Sequence, residues 1–87
     1  MNPMDIPIPS DTRGASALYL LVNRRLNSLW MEYTCYVERN GSKVKTQMIF
    51  PILFGELDFY EVLLARIAGK LPPEIVRELQ YEDTSDW

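Results

Sequence analysis

The sequence predicts a small α+β domain built around one antiparallel β-hairpin. Three observations point to this class. Apolar residues occupy every second position from 29 to 37, which is the period of a β-strand. The pair Asn40-Gly41 follows, and it is typical of a two-residue hairpin turn. After residue 58 the apolar residues instead recur every three or four positions, as they do along an amphipathic helix.

The first ten residues are predicted to form an extended arm. Three prolines within them each fix φ and remove a backbone donor, which disfavours both a helix and a central strand. Isoleucines alternate with these prolines, so the arm either packs along a folded domain or remains a disordered tail. The residues concerned are Pro3, Ile6, Pro7, Ile8 and Pro9.

Residues 15–27 fit either a helix or a third strand of the sheet. As a helix, the segment gathers its larger apolar residues on one face, and Ser10 or Asp11 is available as an N-cap. As a strand, it presents apolar residues on both faces and suits a buried position. The helix is preferred, because Ala, Leu and Arg dominate the stretch and all three favour helices.

The predicted hairpin has its strands at residues 29–38 and 43–50. A two-residue turn at Asn40-Gly41 pairs positions whose numbers sum to 81. This register matches apolar with apolar residues on one face and acidic with basic residues on the other, and such pairs stabilise a sheet. Cys35 then lies on the face that packs against the core.

Two helices are predicted after the hairpin, at residues 59–69 and 73–81. Asp58 and Glu61 have the spacing of a capping box, which marks the start of the first helix. A glycine ends that helix, and the pair Pro72-Pro73 begins the second. Helices that follow a hairpin in this order complete the α+β prediction.

The length of 87 residues supports one domain, predicted at residues 11–81 and followed by an acidic tail at residues 82–87. The net charge of −3 is unevenly distributed along the chain. It is −2 over residues 1–11, +4 over residues 12–50 and −5 over residues 51–87. The chain is therefore expected to be dipolar, which favours electrostatic steering of a partner.

The composition argues against catalysis. The chain has no histidine and a single cysteine, which excludes disulfide frameworks, Cys/His zinc sites and histidine acid–base chemistry. Cys35 has no neighbouring base to activate it, and neither a glycine-rich phosphate loop nor a calcium loop occurs. We therefore expect a non-enzymatic protein with no metal and no cofactor.

The expected location is the cytoplasm. No apolar run reaches the roughly 18 residues of a membrane span, and the first residues lack the pattern of a signal peptide. A lone cysteine is also typical of a reducing compartment. No membrane partner is expected.

Two surfaces are candidates for binding a partner. The outer face of the hairpin combines aromatic and basic residues, as protein hot spots and single-strand binders both do. The plainer interpretation is that one of the helices, or the N-terminal segment as a third strand, covers part of this face. The C-terminus combines acidic charge with an aromatic residue, although a solvated tail explains it equally simply. The candidate residues are Trp30, Tyr36, Arg39, Lys43, Lys45, Ile49 and Trp87.

The preferred hypothesis is a module that binds another protein and acts as an inhibitor, adaptor or regulator. Two observations motivate this hypothesis: the composition argues against catalysis, and the basic middle of the chain is separated from its acidic C-terminal part. Small proteins of phages and mobile elements are often of this kind, which would place the protein in a host cytoplasm. Self-association of the basic hairpin with the acidic helices is a special case, as a homodimer. The alternative is an RNA- or single-stranded-DNA-binding module, which the sequence pI of about 4.8 disfavours.

Overall fold

The protein has an all-α fold in the computed structural model, which describes the backbone of residues 2–85 and the side chains of residues 2–81. No residue in that described range belongs to a β-strand, so the α+β prediction is wrong. A short 3-10 turn precedes four helices. These elements are the turn Pro3–Asp5, α1 (Thr12–Asn40), α2 (Lys43–Ile49), α3 (Pro51–Gly69) and α4 (Pro73–Ser85).

The segment predicted as a hairpin is helical. Residues 29–38 continue α1, and residues 43–49 form α2. Leu29 and Tyr33 are buried four residues apart, whereas Met31, between them, is exposed on the opposite side of the helix. The alternation along the sequence therefore consists of two helical stripes on opposite faces of α1, not the two faces of a strand.

Gly41 has the positive φ that the hairpin turn required, but it uses this conformation to end α1. Its φ is 70°, and its backbone N–H donates to the carbonyl of Val37 at 2.8 Å. The side-chain amide of Asn40 donates to the carbonyl of Tyr36 at 2.8 Å, within the last turn of α1. Glycine at this position is the usual helix C-cap, because a left-handed backbone costs it no steric strain.

The helical alternative for residues 15–27 is correct, and α1 begins at Thr12. Asp11 is the N-cap, and its Oδ2 accepts a hydrogen bond from the N–H of Gly14 at 2.8 Å. The chain passes very close to Gly14, where an added Cβ would lie 2.8 Å from the Cβ of Pro9. Glycine at this position therefore lets the N-terminal arm cross the first turn of α1.

The helices predicted at residues 59–69 and 73–81 are present, but both are longer than predicted. α3 begins at Pro51, which occupies the first helical position, where its missing N–H is not needed. Asp58 is exposed in the middle of α3, so the predicted capping box is wrong. α4 continues to Ser85 and thus includes the first residues of the predicted acidic tail.

The core lies mainly between α1 and α3, which run antiparallel. The N-terminal half of α1 packs on the C-terminal end of α3, together with α4, and buries Ala15, Tyr19, Val22, Leu63, Ile67, Leu71 and Leu79. A second cluster joins the C-terminal half of α1 to the first half of α3 through Leu26, Leu29, Tyr33 and Leu57. This second cluster orients the end of α1 at which α2 begins.

The N-terminal arm packs along its own chain. Ile6 and Ile8 contact the first core cluster. Nη1 of Arg66, on α3, donates hydrogen bonds to the carbonyl oxygens of Pro3 and Ile6, the latter at 3.1 Å. The guanidinium thus donates to two backbone carbonyl oxygens of the proline-rich arm and fixes the arm to α3.

Candidate functional site

Helix α2 is the unusual element of the fold, because its apolar side chains point to solvent. Met48 is 77% exposed and Ile49 56%, and Val44 is also exposed. The single side chain that α2 buries is polar, since Thr46 is 1% exposed. A helix that only packed against the core would show the opposite distribution.

Local capping explains how so short a helix forms. Ser42 is the N-cap of α2, and its Oγ accepts from the N–H of Lys45 at 3.3 Å. The hydroxyl of Thr46 donates to the carbonyl of Ser42 at 2.8 Å, so this buried polar group is satisfied. Phe50 ends the helix, and its ring stacks on Tyr36 of α1 with centroids 4.1 Å apart. α2 is therefore attached to α1 through its C-cap residue Phe50, and the outer face of α2 does not contact the core.

The first turn of α3 also carries exposed apolar side chains. Ile52 is 79% exposed and Phe54 is exposed as well, while Leu53 between them packs against the second core cluster. Monomeric proteins rarely leave large apolar side chains exposed in a group unless the surface binds something. We refer to this group as the α2–α3 patch, defined by Val44, Met48, Ile49, Ile52 and Phe54.

A series of aromatic rings joins the α2–α3 patch to α1. The centroid of the Phe54 ring lies 6.3 Å from that of Tyr33. Tyr33 in turn meets Trp30 edge to face at 5.5 Å. Such ring pairs contribute about 0.5–1.5 kcal/mol beyond their burial. These ring contacts therefore hold the start of α3 against α1.

The charge around the α2–α3 patch is positive. Residues 39–55 contain Arg39, Lys43 and Lys45 and no acidic residue, which gives the segment a charge of +3. All three basic side chains are exposed. An apolar centre with a charged surround is the usual composition of a protein-binding surface, and here the surround favours an acidic partner.

The residues predicted from the sequence do not form one face, because the hairpin that would align them does not exist. Lys43, Lys45 and Ile49 lie together on α2, with Arg39 on the last turn of α1. Tyr36 is half-buried against Phe50, and Trp30 lies farther back along α1. Trp87 lies outside the described residues.

Four residues of the α2–α3 patch were not predicted as site residues. The hairpin register places Val44 and Met48 on its apolar face, and Ile52 and Phe54 lie outside both the predicted hairpin and the predicted helices. One signal was present in the sequence. Residues 48–54 are seven consecutive apolar residues, proline included, and consecutive residues cannot all lie on one buried face of a helix. Some of them must then face solvent or a partner.

Comparison with known proteins adds no further guide. No protein-family model, curated protein or solved structure matches the chain. The proposal of function therefore depends on the geometry alone.

Residues with potential for other chemistry are dispersed. Cys35 is exposed on the outer face of α1, so the prediction that it lies on a core face is wrong. Within the part of the chain that the structure describes, no three Cys, Asp or Glu side chains are grouped so that they could hold a metal ion. None of the described helices combines the length and apolar character needed to cross a membrane.

Proposed function

We propose that the chain is a non-enzymatic protein-binding module, and that the α2–α3 patch binds an acidic amphipathic helix of another protein. The observation that supports this most strongly is the inverted polarity of α2, which buries Thr46 and exposes Val44, Met48 and Ile49. An amphipathic helix would lay its apolar side on the patch and its acidic side toward Arg39, Lys43 and Lys45. Binding of this kind suits an inhibitor, adaptor or regulator.

A comparison of the free energy of side-chain burial with the cost of association favours a transient interaction. Full burial of one large apolar side chain contributes about 1.5–3 kcal/mol. Association costs about 4–15 kcal/mol in lost translational and rotational freedom. At the middle of these two ranges, about four buried side chains offset the cost of association, and the patch offers five. The basic residues mainly raise the association rate, so binding is expected to weaken as salt increases.

The alternative function, binding of RNA or single-stranded DNA, required Trp30 and Tyr36 to stand beside Lys43 and Lys45 on a sheet. Tyr36 is instead stacked on Phe50, which removes its face from a base. The proposal keeps the cytoplasm as the place of action, because the single thiol of the chain is exposed and such thiols persist in reducing compartments.

A photo-crosslinking amino acid at Met48 tests the proposal in cells that express the protein. The expected result is one protein adduct whose linked peptide is an acidic amphipathic helix. The double variant Lys43→Glu/Lys45→Glu should abolish the adduct, whereas the same probe at the exposed Glu78 of α4 should not form it. Adducts with nucleic acid, binding of the purified protein to anionic vesicles, or identical adducts from both positions would contradict the proposal.

A further inference from the structure

The outer face of α1 carries a second exposed stripe, separate from the α2–α3 patch. Its members follow one another at intervals of four, three, four, three and four residues. An alternation of four and three is the heptad spacing of a helix–helix seam. Leu21 is 66% exposed and Met31 58%, and the other members are exposed too. The outer stripe consists of Ala17, Leu21, Arg24, Ser28, Met31 and Cys35.

This outer stripe is complementary to itself when two copies run antiparallel. Positions then pair when their numbers sum to 52, which places Ala17 opposite Cys35, Leu21 opposite Met31 and Arg24 opposite Ser28. Small residues meet small ones, large apolar residues meet each other, and the arginine meets a hydroxyl. A parallel pair would place each residue against its own copy, with Arg24 directly beside Arg24, whereas the antiparallel register separates the two by about 6 Å along the axis.

A shallow groove lies on the same face of α1, at the level where the antiparallel register places side chains of the second copy. Its volume is about 330 Å³, and its lining consists of two successive diamonds of the helix surface. Ser28, Met31, Glu32 and Cys35 form the first diamond, and the second repeats the spacing from Glu32 to Arg39. A coiled-coil side chain inserts into a diamond of this kind. With positions summing to 52, the partner's Leu21 faces the first diamond and the partner's Ala17 the second.

Charges at the ends of the stripe agree with the same register. Arg13 and Glu38 are exposed on one flank of the outer stripe, near its two ends. Their numbers sum to 51, so each arginine lies within about one residue rise, or 1.5 Å along the axis, of the partner's Glu38. Opposite charges therefore meet at both ends of the pair, which fixes the register and the direction.

The shape of the monomer also favours pairing. The radius of gyration is 14.5 Å, against about 12 Å for a compact domain of this length. The molecule is only 15 Å across in its thinnest dimension and 42 Å long, the length of α1 itself. A thin chain of this kind leaves one side of its longest helix uncovered.

We propose that two copies of this protein associate as an antiparallel dimer through the outer stripes of α1. The dimer interface is formed by α1 and does not include the α2–α3 patch, so the dimer can be tested separately from the proposed function.

Cysteine crosslinking tests the register directly. In the variant Ala17→Cys, the introduced thiol lies opposite the partner's Cys35, and mild oxidation should give a disulfide-linked dimer. Wild-type protein and the variant Ala17→Cys/Cys35→Ser should give none, because their thiols are about 27 Å apart along the axis. A linked wild-type dimer would show a parallel pair and overturn the proposal. Absence of any linked species, with a monomer in light scattering at high protein concentration, would overturn it as well.

A charge substitution gives a second, independent measurement. Leu21→Glu should raise the dimer dissociation constant about tenfold or more, because it buries a carboxylate at the seam. The control Met48→Glu makes the same chemical change in the α2–α3 patch and should leave the dissociation constant unchanged. Both side chains are mostly exposed in the monomer, so neither variant should disturb folding. Equal effects, or no effect of Leu21→Glu, would rule the α1 seam out.

Discussion

The two ends of α1 are built differently. One side of its N-terminal half packs against α3, α4 and the proline-rich arm, and Tyr19 on that side is 2% exposed. Its C-terminal end packs on a smaller cluster and supports α2, whose apolar side chains face outward. The first end therefore supplies most of the folding stability, whereas the second presents a surface. Truncation of an apolar side chain should therefore lower the free energy of unfolding in the first region and leave it nearly unchanged in the second.

The largest difference is expected between two isoleucines of α3. Ile67 is fully buried in the first core cluster, and Ile52 is exposed in the α2–α3 patch. Ile67→Ala should lower the free energy of unfolding by about 2–5 kcal/mol, because it leaves a cavity. Ile52→Ala should change it by no more than about 0.5 kcal/mol. Urea denaturation measures both, and a similar loss in the two variants would contradict the contrast between the two ends.

A smaller effect is expected from the contact between α3 and the arm. Arg66→Met keeps the apolar stem but removes the hydrogen bonds to the carbonyls of Pro3 and Ile6, and should cost about 1–2 kcal/mol of unfolding free energy. Arg77→Met, on the exposed side of α4, is the matched control and should be nearly neutral. In a chain that lacks residues 1–9, Arg66→Met should cost nothing further. An equal loss with and without the arm would show that Arg66 acts elsewhere.

Effects of similar or smaller size are expected at two glycines, with opposite signs. Gly41→Ala should destabilise the protein by about 1–2 kcal/mol, because alanine is strained at a φ of 70°. Gly55 lies inside α3, with open space where an alanine Cβ would be, so Gly55→Ala should stabilise the protein by about 0.5–1 kcal/mol. Thermal and urea unfolding of the two variants measure the difference. Gains in both variants would mean that α1 does not need a left-handed residue at its end.

The helical parts of the fold could be predicted where a single apolar face was present. α4 and the second half of α3 each have one buried stripe, and their positions were found. The C-terminal half of α1 has two stripes, one buried through Leu29 and Tyr33 and one exposed through Met31 and Cys35. Two stripes in alternate positions give the period of a strand, and only the continuing series Tyr19, Val22, Leu26, Leu29, Tyr33 distinguishes the helix.

The turn signal at Asn40-Gly41 was right only for the backbone of Gly41, because Asn40 is helical and no hairpin is present. Gly41 has a positive φ, as an Asn-Gly pair suggests, but helix C-caps and hairpin turns share that requirement. The basic residues Arg39, Lys43 and Lys45 could be selected from composition alone. Apart from Ile49, the apolar members of the α2–α3 patch could not, because their exposure depends on how α2 packs against α1. That packing is decided by Thr46 and the Tyr36–Phe50 stack.

The burial of a single threonine by α2 also determines how this helix unfolds. A seven-residue helix is too short to persist in water by its own hydrogen bonds, so α2 depends on Thr46, Ser42 and the ring of Phe50. Local opening of α2 therefore costs much less free energy than unfolding of the core, and its amide hydrogens exchange with solvent sooner. A partner that covers the α2–α3 patch would slow that exchange, so that binding and the ordering of α2 are linked in one equilibrium.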